Sequence, residues 1–136
     1  MIQRIQSIWF LLASVCAFLT LKMPFYIGTT PDNKPEHQLT GMENIYLLLL
    51  TVIVGALAFI IIFLFKKRKL QVRLSVLGIM LELFLILLYY LELKNYSSGT
   101  YALSALLHSC VIFFFFLALR GIGKDINTIR RSERFR

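Results

Sequence analysis

Residues 45–65 read IYLLLLTVIVGALAFIIIFLF, without one charged side chain. An α-helix rises about 1.5 Å per residue, so about 20 apolar residues span a hydrocarbon layer about 30 Å thick. Three further apolar runs of this kind extend from Ile5 to Phe25, from Leu70 to Leu93 and from Tyr101 to Ile122. Backbone groups in lipid must be hydrogen-bonded within their own segment, and these runs lack the period-2 alternation of a barrel strand. The sequence therefore predicts an all-α bundle of four transmembrane helices.

The basic residues are distributed unevenly around these runs. Most of the 15 Lys and Arg residues lie in the turn after the second run and in the tail after the fourth. Only Lys22, Lys34 and Lys94 lie on the opposite side of the implied bilayer. Because cytoplasmic loops carry an excess of Lys and Arg, we expect both termini in the cytoplasm. Topology thus explains the net charge of +8, and nucleic-acid binding is not predicted because the loops are too short to form a basic surface.

The segments outside the four runs are short. We therefore expect one membrane domain over residues 1–136, without a separate soluble domain. The connector from Tyr26 to Asn44 contains Pro31 and Pro35, which exclude a helix between them, and we expect a solvated loop there. In the tail, residues 123–136, isoleucines recur at helical spacing opposite basic residues, which predicts an amphipathic extension of the fourth helix near the lipid surface. The first run resembles a signal peptide in its basic start, but we expect it to be retained as a helix.

Glu82 is the one acidic residue deep within an apolar run. A charged carboxylate at the bilayer centre costs about 2.5 to 3.5 kcal/mol on insertion scales, so such residues usually face the bundle interior. Ser75, Gly78, Glu82 and Tyr89 share one stripe of the third helix. His108 of the fourth helix lies about one turn from the depth of Glu82, so the two side chains could meet. We predict an intramembrane polar pair, and we favour a hydrogen bond that fixes helix pairing over a proton relay.

Two further sets of residues are predicted to make contacts. Small residues, mostly spaced four apart, allow helices to approach closely in lipid: Ala13, Ala17, Thr51, Gly55, Gly78, Ala105 and Ser109. Basic residues of the turn and tail are predicted to contact anionic lipid, at about 1 kcal/mol each: Lys66, Lys67, Arg68, Lys69, Arg130 and Arg131. The four consecutive aromatics at 113–116 cover every side of a helix, so some of them must face lipid or another protein.

No combination of residues indicates catalysis, and we expect a protein that is not an enzyme. Cys16 and Cys110 stand alone in separate runs, unlike the paired cysteines of a disulfide oxidoreductase. His37 and His108 lie on different elements without clustered Cys or acidic partners, so no zinc site is predicted. A single intramembrane histidine also cannot supply both axial ligands of a b-type haem. The sequence thus predicts neither a cofactor nor a metal.

The opening MIQRIQSIWFLLA, followed by four spans and a basic tail, resembles an uncharacterised family of small bacterial inner-membrane proteins, the domain of unknown function 4293. The resemblance covers the whole chain. It implies a Gram-negative cytoplasmic membrane and four helices, and it brings no activity or substrate. From the residues, we favour a non-enzymatic membrane subunit that packs against a larger integral membrane complex. The alternative is a small oligomeric transporter or proton-coupled carrier that uses Glu82, and an enzyme acting on lipid or quinone comes last.

Overall fold

A computed structural model describes the backbone of residues 2–32 and 37–135, and the side chains within these ranges from Ile5 onward. Lys34, Pro35 and Arg136 lie outside the described residues. The helices are α1 (Ile2–Thr20), α2 (Ile45–Phe63), α3 (Arg68–Glu92) and α4 (Ser104–Arg134), and a 3₁₀ turn, Leu93–Asn95, follows α3. The strands are β1 (Tyr26–Thr29), β2 (His37–Leu39) and β3 (Ser98–Tyr101). Each of the four predicted apolar runs thus forms a helix.

The four helices pack as a ring. Each helix contacts the next along the chain, and α4 closes the ring against α1. One end, the sheet end, carries the three strands, and the other, the basic end, carries the Lys66–Lys69 turn and the last turns of α4. A core that includes Phe10, Val54 and Phe115 fills the bundle toward the basic end. A second buried cluster, which includes Leu85, lies beneath the sheet.

The outer surfaces of the helices are also largely apolar. In the part of the chain that the structure describes, three helices are long and apolar enough to cross a membrane: Ile45–Phe63, Arg68–Asn95 and Ser104–Arg134. The apolar helix Ile5–Thr20 is shorter. A helix that is hydrophobic all round belongs in the core of a large protein or in a membrane. In the part of the chain that the structure describes, large apolar side chains stay exposed along these helices.

The first helix ends five residues earlier than predicted, at Thr20 rather than at Phe25. Proline lacks a backbone N–H and excludes the preceding residue from the α region, so Pro24 prevents the helix from continuing. Phe25 pairs with a strand residue instead: its N–H donates to the carbonyl of Leu39 at 2.7 Å, and its own carbonyl accepts from Ala102 at 3.0 Å. The chain therefore leaves α1 directly into the sheet.

The fourth helix begins at Ser104, because Tyr101 belongs to β3, and it continues without a break to Arg134. The predicted tail is thus helical, and its buried face continues through Ile122 and Asp125. The predicted extension of the fourth helix is therefore present, and its position near a lipid surface stays a prediction. With 31 residues, α4 is about 46 Å long.

Both connectors at the sheet end contribute to one antiparallel sheet in the order β2-β1-β3. Tyr26 pairs with Leu39 on one side and with Tyr101 on the other. Gly28 faces Gly99 in the β1–β3 ladder, and a Cβ on either residue would collide with backbone of the opposite strand. The expectation of a plain solvated loop is therefore wrong. The sheet covers the bundle where α1 and α3 end.

Candidate functional site

Glu82 and His108 form a buried pair inside the bundle. The His108 Nδ1 atom lies 2.6 Å from Glu82 Oε1, and both side chains are only 2 % exposed. Glu82 lies on the buried stripe of α3 and His108 on that of α4, and these helices pack against each other. The distance is that of a short, strong hydrogen bond. The pair must hold a proton between the two atoms, because an unprotonated ring nitrogen and a carboxylate oxygen are both acceptors.

Two aromatic rings cover this pair from the sheet end. Phe25 and Tyr89 stack with ring centroids 4.4 Å apart. The imidazole of His108 lies 5.1 Å from the ring of Tyr89 and 5.6 Å from that of Phe25, centroid to centroid. Tyr89 is fully buried. The sequence analysis assigned Phe25 to a helix, so its role as the cover of the pair could not be predicted.

Two buried polar atoms at this site have no hydrogen-bond partner among the described residues: Nε2 of His108 and the hydroxyl oxygen of Tyr89. An unpaired buried polar group costs about 1 to 3 kcal/mol. The site therefore has unused hydrogen-bonding capacity.

Other hydroxyls inside the bundle bond to the backbone of a helix. Ser14 donates to the carbonyl of Gly55 at 2.9 Å, which joins α1 to α2. The hydroxyl of Thr51 donates to the carbonyl four residues earlier at 2.7 Å, and that of Ser75 does the same. Such bonds satisfy a hydroxyl without exposing helix backbone. These bonds give the three hydroxyls a role in the structure of the bundle.

Five of the seven predicted packing residues are buried where helices meet. A Cβ added to Gly55 would lie 2.9 Å from the ring of Phe18, and one added to Gly78 would lie 2.8 Å from the ring of Phe115. Each glycine thus lets an aromatic ring lie directly on helix backbone. The five buried residues are Ala13, Ala17, Thr51, Gly55 and Gly78.

The prediction fails for Ala105 and Ser109. Ser109 is exposed and Ala105 is only partly buried, at the edge of the cluster beneath the sheet. The buried stripe of α4 begins instead with Ser104 and His108 and continues through Val111. Successive helical residues are rotated by about 100°, so a shift of one residue turns a small side chain away from the bundle.

Asp125 joins three helices at the basic end, and the sequence analysis missed it. Gln6 of α1 donates from Nε2 to Asp125 Oδ2 at 2.8 Å, and Arg68 Nη1 of α3 lies 3.7 Å from the same oxygen. Asp125 is 7 % exposed. Its position three residues after Ile122, on the apolar side of an otherwise basic tail, was the available signal.

The predicted lipid-contact residues divide into two surfaces. Residues 66–69 line a groove between α3 and α4. Arg130 and Arg131 line a different surface, which belongs to α4. The sequence places these residues on the same side of the implied bilayer, but in the fold they line two separate surfaces.

A polar cluster holds the sheet end together. His37 Nδ1 lies 2.9 Å from the hydroxyl oxygen of Tyr96, and His37 Nε2 lies 3.2 Å from Glu43 Oε1. Burial raises the pKa of Tyr96 to about 12, and the charges of Glu43 and Glu92 add to this effect. Burial also raises the pKa of Glu43. The neighbouring His37 lowers this pKa, and the charge of Glu92 raises it further. The cluster connects β2 to the segments before α2 and after α3.

Comparison with known proteins gives one match. The sequence model of the family described as Domain of unknown function (DUF4293) matches residues 2–135. No curated protein and no solved structure matches the chain. Within the described residues, no group of three His, Cys, Asp or Glu side chains could hold a metal ion.

Proposed function

The chain belongs to the DUF4293 family, and from that premise we propose that it is a non-enzymatic subunit of the bacterial inner membrane. All four helices cross the bilayer, both termini are cytoplasmic, and the bundle packs against a larger integral membrane complex. The α1 helix packs along α2 and α4, each long enough to span, so it occupies the same layer as they do. The Lys66–Lys69 turn and the end of α4 lie on the cytoplasmic side, because basic residues are enriched there.

The contrast between the inside and the outside of the bundle carries this proposal. Inside, most polar groups bond to one another or to backbone, and two buried atoms of the pair and its cover lack a partner among the described residues. Outside, large apolar side chains are at least half exposed along the helices, including Met80, Phe84, Leu106, Phe113 and Phe116. Aromatic residues are enriched where proteins bind each other. The surface that remains available for function is therefore apolar and lateral, which suits contact with another membrane protein.

The test is purification of the full chain from its native membrane in mild detergent. We expect an integral membrane partner in fixed stoichiometry, and its loss when Phe113 and Phe116 are both replaced by Ala. The matched control replaces Phe59 and Phe63, an exposed aromatic pair on α2, and should keep the partner. A wild-type chain that purifies alone, as a monomer or homo-oligomer, would contradict the subunit proposal.

The membrane orientation has its own test. Alkaline phosphatase is active only outside the cytoplasm, so a fusion after the last residue should be inactive. A fusion in the segment between β1 and β2 should be active. The opposite pattern would overturn the orientation and leave the partner experiment unaffected.

The second candidate is a proton-coupled carrier, favoured by the two unpaired atoms at the buried pair. His108 Nε2 and the hydroxyl of Tyr89 are available to a transported proton or to a polar substrate group. This candidate predicts proton flux in proteoliposomes that disappears in Glu82→Gln although the variant still folds. Under the subunit proposal, Glu82→Gln folds, keeps the partner, and changes no flux.

A further inference from the structure

We propose that the basic end contains a defined site for the headgroup of one anionic phospholipid. The site is the groove between the start of α3 and the last turns of α4, with a volume of about 670 Å³. The inference rests on the membrane placement proposed above. Beyond that placement, one groove of defined lining binds the lipid, and the whole charged surface does not attract it diffusely.

Four cationic side chains line this groove without a counter-ion. They are Lys66, Lys67, Lys69 and Arg73. Arg68 also lines it, but its guanidinium lies 3.7 Å from the buried carboxylate of Asp125. Among the described residues, no acidic side chain forms an ion pair with the other four. Asp125 therefore anchors one cation to the bundle, and the remaining positive charge is available to an anion.

The floor of the same groove is apolar. Leu70 is 39 % exposed and Ile129 is 44 % exposed, while Ile126 is partly buried against the core. A free phosphate ion gains nothing from such a floor. A phosphate ester that carries glycerol and acyl chains binds both to the cations and to the apolar side chains. The composition of the groove thus fits a phospholipid better than free phosphate.

The depth of the groove agrees with a headgroup. The contact between Arg68 and Asp125 sets the first turn of α3 beside that level of α4. Arg73 is five residues further along α3, about 7.5 Å nearer the middle of the apolar run. Lipid phosphates lie just outside the hydrocarbon layer, so a phosphate between these two levels meets the cations of the groove.

The second basic surface provides an internal control. It has a volume of about 800 Å³, and the described residues that line it all belong to α4. Five are basic, and the others are Gly123, Asn127 and Thr128, without an apolar side chain. This surface has comparable charge and no apolar floor. If charge alone attracts lipid, both surfaces should bind equally.

The experiment titrates the purified full chain in neutral detergent with phosphatidylglycerol or phosphatidylcholine, and counts bound lipid by native mass spectrometry. The groove variant carries Lys66→Gln, Lys67→Gln, Lys69→Gln and Arg73→Gln. The tail variant, which also loses four charges, carries Lys124→Gln, Arg130→Gln, Arg131→Gln and Arg134→Gln. A third variant, Ile129→Gln, changes the floor at an exposed position and keeps every charge. Inorganic phosphate is added as a competitor in a separate arm.

We expect one tightly bound phosphatidylglycerol per wild-type chain and much weaker binding of phosphatidylcholine. The groove variant should bind phosphatidylglycerol at least about tenfold more weakly than the tail variant. The reason is that each basic residue near a lipid surface raises the affinity for anionic lipid about fivefold. Ile129→Gln should weaken lipid binding as well, and inorganic phosphate should compete poorly. Equal losses in the groove and tail variants would overturn the site. Strong competition by phosphate with no effect of Ile129→Gln would assign the groove to a free anion. Neither result depends on the phosphatase fusions, which test the orientation separately.

Discussion

The hydrogen bond between Glu82 and His108 should show energetic coupling in a double-mutant cycle. Each residue is replaced by leucine, an apolar side chain of similar size, singly and together. In Glu82→Leu, both ring nitrogens of His108 lack a partner, because Nε2 has none among the described residues of the wild-type protein. An unpaired buried group costs about 1 to 3 kcal/mol, so each single variant should lose stability within this range. The double variant removes both polar groups and should lose less than the sum.

The coupling can be bounded from hydrogen bonds measured between membrane helices, which contribute about 0.6 kcal/mol on average and up to about 1.7. The hydrogen bond is short and both side chains are only 2 % exposed, so we expect a coupling of about 1 to 1.7 kcal/mol. The assay is reversible unfolding in mixed micelles, followed by far-ultraviolet circular dichroism. Glu82→Leu combined with Gly123→Ala, at a site with nothing within 4 Å of an added Cβ, is the additive control. A cycle for the pair that is additive within about 0.3 kcal/mol would refute the claim that the bond fixes helix pairing.

Three further predictions address packing, the basic end and pH. Gly78→Ala should destabilise the fold by about 1 to 3 kcal/mol, because the new Cβ would lie 2.8 Å from an aromatic ring. Gly123→Ala should instead stabilise the fold by up to about 1 kcal/mol. Thermal unfolding of both variants distinguishes steric conflict from helix propensity. Asp125→Leu should lower the free energy of unfolding by about 1 to 3 kcal/mol, because it leaves the buried amide of Gln6 without an acceptor. Asp125→Asn should lower it by less. Equal losses of stability in the two variants would show that this hydrogen bond contributes nothing. The pKa of Tyr96 is raised from its ordinary 10.0 to about 12, so its contribution to stability is complete below pH 10 and is lost as pH rises toward 12. Tyr96→Phe should reduce the alkaline slope of stability against pH, and an unchanged slope would remove this tyrosine as the cause.

The helices and the buried pair could be predicted from sequence because both depend on local spacing. Length and hydropathy define a run of about 20 apolar residues, whatever it packs against. Helical periodicity then places Glu82 on one stripe, and counting turns from the helix ends gives the depth of His108. The same spacing could not reveal which small residues face inward. Ala105 and Ser109 have the spacing of a packing pair, but the buried stripe of α4 passes through Ser104 and His108 instead.

The sheet and the contacts of Asp125 with α1 and α3 depend on parts of the chain that are distant in sequence. Strands of three or four residues are too short for a reliable alternation pattern, and β1 pairs with β3 some 70 residues later. The hydrogen bond between Gln6 and Asp125 spans 119 positions. In the sequence, the position of Asp125 three residues after Ile122 indicates burial but names no partner. Its role follows from burial beside Arg68, which no local pattern contains.

Phe25 connects the sheet to the buried pair, and this connection separates the two candidate functions. Its backbone is held on both sides by Leu39 and Ala102, while its ring covers Tyr89 and His108. A carrier must admit its cargo to the pair, and this cover closes the sheet end, so we expect entry there to displace Phe25 and to loosen its backbone hydrogen bonds. A structural pair needs no entry. Amide hydrogen exchange at Phe25 therefore discriminates between the candidates. Under the subunit proposal, the Phe25 amide should be as protected as amides of the bundle core, and an imposed proton gradient should not change this protection. Faster exchange under a gradient, abolished in a variant that still folds but lacks the carboxylate of Glu82, would favour the carrier.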